Sequence, residues 1–496
     1  MNWIEKKAGD DLSTKVVSSL EANRKILEKQ LVHCADINRK EIWVGRNLDV
    51  KCLLIYMEST LSNTEFNHSS VGKAMDGLRK SEPEEIRELI NKNGFAVPDL
   101  SLLTTIEEAL QSMFAGNVMI LVDGYDKILK IQDKGYPGLG IHETQSEKNI
   151  RGSDESFCES VKMNAVLLRK RIRSSGVKVL EFKTGVRADT LVYIMYIDEI
   201  ANLKVVREME QRLSEFSIDG ALDTGVIEQL TEKKSYSPFP QFQSTRRPDR
   251  GAEALLAGRV VLLSDNSPEA LLLPATYQTF LQTADDGFSR FEIASFSRIL
   301  RYLASFLAMV FPGLYLVAVN FHNQMIPEKL LLSLAAASTG TPFPAIVEVL
   351  LMEIAFELLR EAGVRMPGNM GNAIGIVGGL IVGQAAVEAN LVSPIVVIVV
   401  ALTALCSFSI PSEDLSNAFR LLKFVFLGSC GFFGFFGFLV SLTFVLLHMA
   451  NLESFSVPYL APVSIGLRRP IYMETKRPIF AKKENRIRLN RKERKE

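Results

Sequence analysis

Cysteine and histidine are scarce in this 496-residue chain, and neither residue type is clustered. The five cysteines stand far apart and form no CxxC pair, and the five histidines are scattered along the sequence. A disulfide framework or a zinc site needs regularly spaced ligands of these types. The sequence therefore predicts no metal site and no structural disulfide. The cysteines are Cys34, Cys52, Cys158, Cys406 and Cys430.

The sequence motifs of common catalytic sites are also missing. There is no P-loop, no GxGxxG after a predicted strand, no HExxH and no GxSxG. Without a recognisable nucleophile, base or metal cluster, we predict that the protein is not an enzyme and uses no cofactor. Nucleic-acid binding has little support, because the basic C-terminal tail lacks interleaved aromatic residues.

Charge and apolar residues are divided between the two halves of the chain. Residues 1–250 are rich in Lys, Arg, Asp and Glu, whereas charge is sparse between Ile299 and Ala450. The N-terminus lacks the apolar core of a signal peptide, so we expect the first 250 residues to stay in the cytoplasm. The pattern predicts an α/β cytosolic domain of two subdomains, followed by an all-α polytopic transmembrane domain.

The first cytosolic subdomain is predicted to cover residues 1–140. Two apolar runs, Cys52–Met57 and Val118–Val122, have the length and flanking polar residues of buried strands. Between them, Pro83–Ile90 has a helical pattern with acidic residues in its first turn.

The second subdomain is predicted to cover residues 141–290, including a linker to the membrane. A basic helix (Val161–Arg173) precedes two strands (Val177–Phe182 and Leu191–Ile197) and a further helix (Leu203–Phe216), and this alternation indicates an α/β layer arrangement. The Pro- and Arg-bearing segment Ser237–Asp249 is interpreted as the juxtamembrane linker, with arginines able to contact lipid headgroups.

Residues 291–460 are predicted to form the transmembrane domain, since a helix needs roughly 20 apolar residues to cross the hydrocarbon core. Five segments are candidates: Ile299–Val319, Ala345–Leu359, Asn372–Val392, Pro394–Ile410 and Leu421–Ala450.

The basic tail, residues 461–496, predicts how the transmembrane domain is oriented in the membrane. Between Leu467 and Glu496 there are twelve Lys and Arg against four Glu, which places this end in the cytoplasm under the positive-inside rule. With both termini cytoplasmic, the number of crossings must be even. Five candidates do not fit, and Ala345–Leu359 is interpreted as the segment that does not simply cross.

Regularly spaced glycines predict close helix packing within the membrane. One series recurs every four residues and a second every three, and a glycine face lets another helix backbone approach closely. The alternative is a flexible or kinked helix. Two such helices suit a compact bundle or a ring of subunits. The first series is Gly371, Gly375, Gly379 and Gly383; the second is Gly428, Gly431, Gly434 and Gly437.

Three glutamates lie within the apolar segment Ala345–Leu359. Glu353 and Glu357 share a helix face, and Glu348 lies on nearly the opposite side. Ionisable residues at membrane depth usually face a bundle interior or water, and carboxylates can attract cations in a pore. The alternative is an interfacial helix with hydrated glutamates. Both interpretations stay open.

Several motifs, in order along the chain, resemble those of bacterial spore germinant receptor A subunits, the GerA family. The resemblance covers roughly Arg151 to Pro462. It includes the residues Pro238, Pro240, Arg247, Pro248, Asp249 and Gln384. The motifs are Arg151–Phe157 with Asn164 and Arg169–Arg171, Pro238–Pro240 with Thr245–Asp249, Ala254–Val260, Pro342–Pro344, Leu359–Pro367 and Val382–Val387.

This resemblance implies a component of the complex that senses nutrients in dormant spores. Such a subunit lies in the spore inner membrane with a transporter-like B subunit and a lipoprotein C subunit. It is thought to form homo-oligomeric rings that conduct monovalent cations when a germinant binds. Alternatives are the accessory paralogue of the stage V sporulation operon, or a secondary transporter, although we see no repeated halves with broken helices.

Overall fold

The computed structural model describes residues 14–57, 70–92, 100–132, 147, 152–365 and 370–461. The first subdomain is built on an antiparallel sheet with strand order β1-β2-β4-β5-β3. The predicted apolar strands are β2 and β4, which pair at its centre. The strands are β1 (Ile37–Val44), β2 (Val50–Met57), β3 (Leu100–Leu103), β4 (Val118–Val122) and β5 (Ile128–Ile131); the helices are α1 (Leu20–Gln30), α2 (Ser70–Lys80), α3 (Pro83–Asn91) and α4 (Ile106–Phe114).

The helices of this subdomain begin where local chemistry favours a helix start. Pro83 occupies the first turn of α3, and Glu82 and Glu85 form a capping box. The Thr105 side chain accepts a hydrogen bond from the Glu108 backbone at the start of α4. The apolar faces of α2 and α3 cover one side of the sheet, and those of α1 and α4 cover the other.

The second subdomain repeats the same topology. Its sheet has the order β6-β7-β9-β10-β8, and its helices occur at the same places between strands as in the first subdomain. The two subdomains are therefore two copies of one antiparallel α/β arrangement. The strands are β6 (Val177–Thr184), β7 (Thr190–Ile197), β8 (Gln243–Thr245), β9 (Val260–Ser264) and β10 (Ala270–Leu273); the helices are α5 (Val161–Arg171), α6 (Leu203–Glu215), α7 (Thr224–Thr231) and α8 (Pro248–Leu256).

A buried ion pair and a short backbone bridge join the two subdomains. Arg169 of α5 donates two hydrogen bonds, of 2.7 and 2.9 Å, to the Asp36 carboxylate. Its guanidinium also lies 4.8 Å from the ring centroid of Phe114. The Val179 backbone exchanges hydrogen bonds with His33 and Ala35, of 2.7 and 3.1 Å. Because Arg169 is fully buried, this ion pair between the subdomains is shielded from solvent.

The C-terminal half is helical. Two short helices lead into a bundle, and all five apolar candidates are helical. Among the described helices, α11 and α16 are long and apolar enough to cross a membrane. The helices are α9 (Tyr277–Phe280), α10 (Asp285–Phe288), α11 (Phe291–Asn320), α12 (Glu328–Ser338), α13 (Ala345–Arg365), α14 (Met370–Glu388), α15 (Pro394–Phe408) and α16 (Glu413–Ala450).

The last helix, α16, folds back on itself at Gly434. This glycine has φ 60° and ψ −137°, a conformation outside the helical region. The hydroxyl oxygens of Ser429 and Ser441 lie 2.7 Å apart. A straight helix would separate residues twelve positions apart by about 18 Å. The segment therefore forms two antiparallel legs, residues 413–433 and 435–450, with Phe321 at the end of α11 packed against the turn.

Among the described helices, α11, α13, α14, α15 and the two legs of α16 run alternately between the two ends of the bundle, and the short helix α12 lies between α11 and α13 along the chain. The starts of α13 and α15 meet where Glu348 accepts a hydrogen bond of 2.8 Å from the Ser393 backbone. Their later parts meet where the rings of Phe356 and Phe408 lie 6.2 Å apart. Leu421–Ala450 is thus two segments, whereas the sequence predicted one. The number of membrane crossings stays a prediction, and so does the interpretation of Ala345–Leu359 as the segment that does not simply cross, because α13 is not among the described helices that are long and apolar enough to span a membrane.

After α16 the chain returns to the second subdomain. Residues 451–461 carry two short strands, β11 (Glu453–Ser454) and β12 (Val457–Pro458), and Phe455 lies in the core of that subdomain. The Ser454 hydroxyl donates a 2.7 Å hydrogen bond to the Gln241 carbonyl. The predicted transmembrane boundary at residue 460 therefore includes about ten residues that pack with the cytosolic domain. Apart from Ala461, the predicted tail lies outside the described residues.

We expect a cysteine pair, Ser429→Cys with Ser441→Cys, to form a disulfide on mild oxidation of the detergent-purified protein. The hairpin places the two hydroxyl oxygens 2.7 Å apart, so that the sulfur atoms that replace them can approach to the roughly 2.0 Å of an S–S bond. The pair is made in a background without the five native cysteines and is read by mass spectrometry.

The matched control is Phe433→Cys with Leu447→Cys. Both side chains are exposed. Phe433 lies beside the turn and Leu447 lies near the end of the second leg, so neither a hairpin nor a straight helix brings them together. The control pair should stay reduced. If the Ser429 and Ser441 pair also stays reduced under the same oxidation, the fold-back at Gly434 is contradicted.

Candidate functional site

An aromatic cluster joins the cytosolic domain to the bundle. Phe239, which is 1% exposed, lies between α16 and the returning C-terminal segment. Its ring centroid is 6.1 Å from that of Phe419, 5.9 Å from His448 and 6.0 Å from Tyr459. Because Phe419 and His448 come from different legs of α16, one side chain contacts both legs. We call this group of four residues the aromatic junction.

The segment predicted as a juxtamembrane linker is part of the folded second subdomain. Arg247 is 2% exposed and donates hydrogen bonds to the Asp249 carboxylate at 2.8 Å and to the Ser153 carbonyl at 2.9 Å. Pro248 occupies the first turn of α8, and Pro240 is buried. A free linker would allow Arg247 to contact lipid headgroups, but this side chain is buried in the second subdomain and does not face lipid. The neighbouring Arg246 is exposed and pairs with Glu269 at 2.7 Å.

The glutamates of α13 take part in an ion-pair network with α16. The Lys423 ammonium lies 2.6 Å from a Glu353 oxygen and 3.2 Å from a Glu357 oxygen. Arg420 donates to the same Glu357 carboxylate. Side-chain exposure is 1% for Glu353 and 4% for Lys423. Two acids thus face two bases within the bundle, and Glu353 is not hydrated in the manner of an interfacial helix.

Glu348 has a different environment at the opposite end of α13. Its carboxylate, 3% exposed, accepts the hydrogen bond from the backbone nitrogen of Ser393, which is the N-cap of α15. A carboxylate at a helix N-terminus is favoured by the unsatisfied N–H groups and the helix dipole. The three acids therefore connect α13 to two different helices. Whether they line an ion path stays a prediction.

The two glycine series have different surroundings. An added Cβ at Gly379 meets no atom within 4 Å in the described part of the chain, whereas one at Gly383 would lie 3.2 Å from Val397. Gly371 and Gly375 belong to α14, but their surroundings lie outside what the structure describes. In this series, therefore, Gly379 offers a smooth surface that the described chain leaves uncovered. Its packing role stays a prediction.

In the second series, most members lie at close contacts within the chain. A Cβ at Gly434 would lie 2.8 Å from Phe321, one at Gly431 would overlap Ile346, and one at Gly437 would overlap the Ser429 carbonyl. Gly428 has no described atom within 4 Å. This series thus contains the glycine at the turn of the hairpin, Gly434, and a glycine at the contact between its two legs, Gly437.

Two acidic side chains near the cytosolic end of the bundle, Glu228 and Asp286, have pKa values shifted from their ordinary values. Burial raises the pKa of Glu228 to about 8, and the nearby carboxylates of Asp414 and Glu232 add to the shift. For Asp286, burial opposes ionisation, but hydrogen bonds and charge from Arg301 and Arg298 hold its pKa below the ordinary value. Asp286 is therefore ionised at neutral pH, where it can neutralise only part of the positive charge around it.

Sequence reasoning missed the basic partners of the α13 acids. Lys423 and Arg420 are three residues apart at the start of an apolar segment. Two basic residues in that position could have been predicted to pair with the acidic residues of another apolar segment. Gln384 is exposed and donates to Glu388 of its own helix at 2.9 Å, so it joins none of these groups. Pro238 is half-buried beside Phe239.

Comparisons with known proteins give a consistent result. The family described as Bacillus/Clostridium GerA spore germination protein matches residues 25–486. Spore germination protein KA of Bacillus subtilis (strain 168) is 35% identical over 487 residues, covering 96% of this chain and 89% of that protein. Uncharacterized membrane protein YfkQ of the same organism is 34% identical over 483 residues, covering 95% and 93%.

Among solved structures, the N-terminal domain of the A subunit of the Bacillus megaterium spore germinant receptor GerK3 is similar to this chain. It is 26% identical, with a TM-score of 0.42, and the match covers 54% of this chain and 99% of that chain.

Replacing Lys423 by Gln should destabilise the bundle by about 3 kcal/mol or more, because two buried carboxylates would lose their shared ammonium. The double variant Lys423→Gln with Glu353→Gln should recover part of the loss. Thermal unfolding in detergent measures both.

The control is Lys233→Gln, which changes an exposed lysine and should leave the unfolding temperature unchanged. Equal stability of the Lys423→Gln and Lys233→Gln proteins would show that the ion-pair network does not hold α13 against α16.

Proposed function

This chain belongs to the GerA family of spore germination proteins, and from that membership we propose that it is the A subunit of a nutrient-germinant receptor. The observation that carries the proposal is the extent of the family match, residues 25–486, which spans the cytosolic and the helical parts together. Relatives that align over nearly the whole chain include a spore germination protein.

The proposed location is the spore inner membrane, with both termini in the cytoplasm. Two apolar helices support membrane association. The described chain also enters and leaves the bundle at one end, because Lys234 and Ser237 of the second subdomain hydrogen-bond Asn451 and His448 at the end of α16. The proposed partners in the receptor complex are a transporter-like B subunit and a lipoprotein C subunit.

We further propose that copies of this chain assemble as a ring that conducts monovalent cations. Large apolar side chains on the bundle surface support such assembly in lipid, among them Phe296 of α11 and Phe432 of α16, which are 68% and 75% exposed. The uncovered surface at Gly379 supports close approach by a helix of a neighbouring subunit. Residues of the α13 ion-pair network are candidates for the ion path.

Gly379→Leu should prevent assembly without unfolding the subunit. An added side chain meets no described atom of the same chain, but it would block close approach of another backbone. Size-exclusion chromatography with light scattering in detergent measures assembly, and germination of spores carrying the variant measures function.

Gly428→Leu is the comparison on the other glycine series, because this glycine is also without described neighbours within 4 Å but lies on α16, on the same helix face as Phe432. Loss of the wild-type mass in Gly428→Leu but not in Gly379→Leu would assign the packing surface to α16. If Gly379→Leu spores germinate normally and the purified variant keeps the wild-type mass, α14 is not the packing surface.

Glu353→Gln should change cation release if this acid belongs to the conduction path. The substitution keeps the shape of the side chain but removes the charge that faces Lys423, so the local field on a passing cation becomes more positive. Cation flux from liposomes, normalised to the assembled fraction, measures the effect.

Glu361→Gln is the control on the same helix, since Glu361 is exposed and pairs with Arg365. Identical flux for wild type, Glu353→Gln and Glu361→Gln would remove Glu353 from the ion path while leaving the family membership intact.

A further inference from the structure

A small cavity of about 80 Å³ lies where the second subdomain meets the start of α11. Its walls include Arg250 and Glu253 of α8, Arg298 of α11, and Gln282 and Thr283 from the segment between α9 and α10. It lies outside the aromatic junction and outside the α13 ion-pair network. Arg259 also lines the cavity, and the three guanidinium groups with the polar side chains around them indicate a site for a charged ligand.

Arg250 has donors that the fold does not use. Its Nη2 donates a 2.7 Å hydrogen bond to the Gln282 carbonyl. Within 4.0 Å of its guanidinium there is no carboxylate from the described ranges of the chain. A carbonyl holds the side chain in place but does not neutralise it, so Arg250 brings an uncompensated positive charge to the cavity wall.

Arg298 faces the same cavity and is also only partly used. Its Nε donates to Asp286 at 3.0 Å, while Arg301 donates to the same carboxylate oxygen at 2.9 Å. One carboxylate therefore serves two guanidinium groups. The terminal nitrogens of Arg298 donate no hydrogen bond to any residue that the structure describes. Arg298 is anchored by its Nε, which leaves its planar donor pair free for a ligand.

The nearby acid Glu253 does not restore neutrality. Its side chain is exposed and forms no ion pair among the residues described. Among the described residues, three guanidinium groups line the cavity, those of Arg250, Arg259 and Arg298, and Arg301 shares Asp286 with Arg298; these four groups meet two carboxylates, Asp286 and Glu253. A net positive charge with unused N–H donors favours an anion.

We propose that this cavity binds an anionic oxygen group, a phosphate or a carboxylate, held between Arg250 and Arg298. Guanidinium donors match the geometry of both groups and can bind them with paired hydrogen bonds. The ligand group must be small, because about 80 Å³ is far below the roughly 300–1,000 Å³ of pockets that enclose whole drug-sized molecules.

Two sources can supply such a group. One is a free anion in the cytosol, and the other is the headgroup of an anionic phospholipid. The second is compatible with the position of the cavity, because Ile293 and Phe296 are exposed apolar residues at the start of α11, within about one and a half turns of Arg298. The chemistry at the two arginines is the same in both cases.

The test is thermal unfolding of the full chain in detergent. One arm titrates inorganic phosphate against chloride at constant ionic strength. The other compares dihexanoyl phosphatidylglycerol with dihexanoyl phosphatidylcholine. A saturable rise in Tm with either anion is expected, because a ligand that binds only the folded state stabilises it. Saturation by phosphate identifies a free-anion site, and saturation by phosphatidylglycerol alone identifies a headgroup site.

Two variants with opposite expected effects separate binding from folding. Arg250→Gln should weaken the apparent affinity about tenfold, the effect of losing one charged hydrogen bond. Glu253→Gln should strengthen it about threefold, because a repelling charge is removed, and damage to the fold would not produce a gain. Lys233→Gln is the control and should bind as wild type does. The proposal is overturned if neither anion raises the Tm, or if both cavity variants bind with wild-type affinity.

Discussion

Phe239 lies in a hydrophobic core that the cytosolic domain and the helical bundle share. It contacts both legs of α16 and Tyr459 of the returning segment, and the contacts with His448 and Tyr459 depend on the fold-back at Gly434. A core common to two domains resists their separation, because parting them would expose apolar surface on both sides. A rearrangement in the second subdomain would therefore move the base of α16. In a receptor, this is a direct physical route from the cytosolic domain to the helices.

The bundle adds a second constraint, which is the placement of charge. The four charged side chains between α13 and α16 are paired, and Lys423 bridges two acids. Removing one member leaves a buried charge without its partner, so the pairing specifies how the helices face each other. The proposed ion path and this structural role need not conflict, because a pathway lined by paired charges depends on the same geometry. The predicted loss of stability and the proposed ion path thus both concern the same α13–α16 contact.

Sequence patterns predicted the elements well and their relations poorly. The strands β2 and β4, the helix beginning at Pro83 and the helical nature of all five apolar segments were confirmed. Each depends on a few consecutive residues, such as an apolar run or a helix cap. The duplicated topology of the two subdomains was not apparent, since equal strand order is a relation between whole sheets. The buried position of Arg247 was missed because Pro and Arg residues are equally typical of exposed linkers.

The sequence alone determined the division into a charged α/β half and an apolar helical half, together with the family resemblance. Both depend only on local composition and short motifs, which can be read without knowing how distant parts of the chain pack. The tertiary structure decided the rest: that Leu421–Ala450 is two legs, and that Glu353 meets Lys423 seventy residues away. Such pairings depend on where helices end and turn. A single backbone conformation, the φ of 60° at Gly434, brings the two legs together, and no periodicity in the sequence distinguishes that glycine from its neighbours.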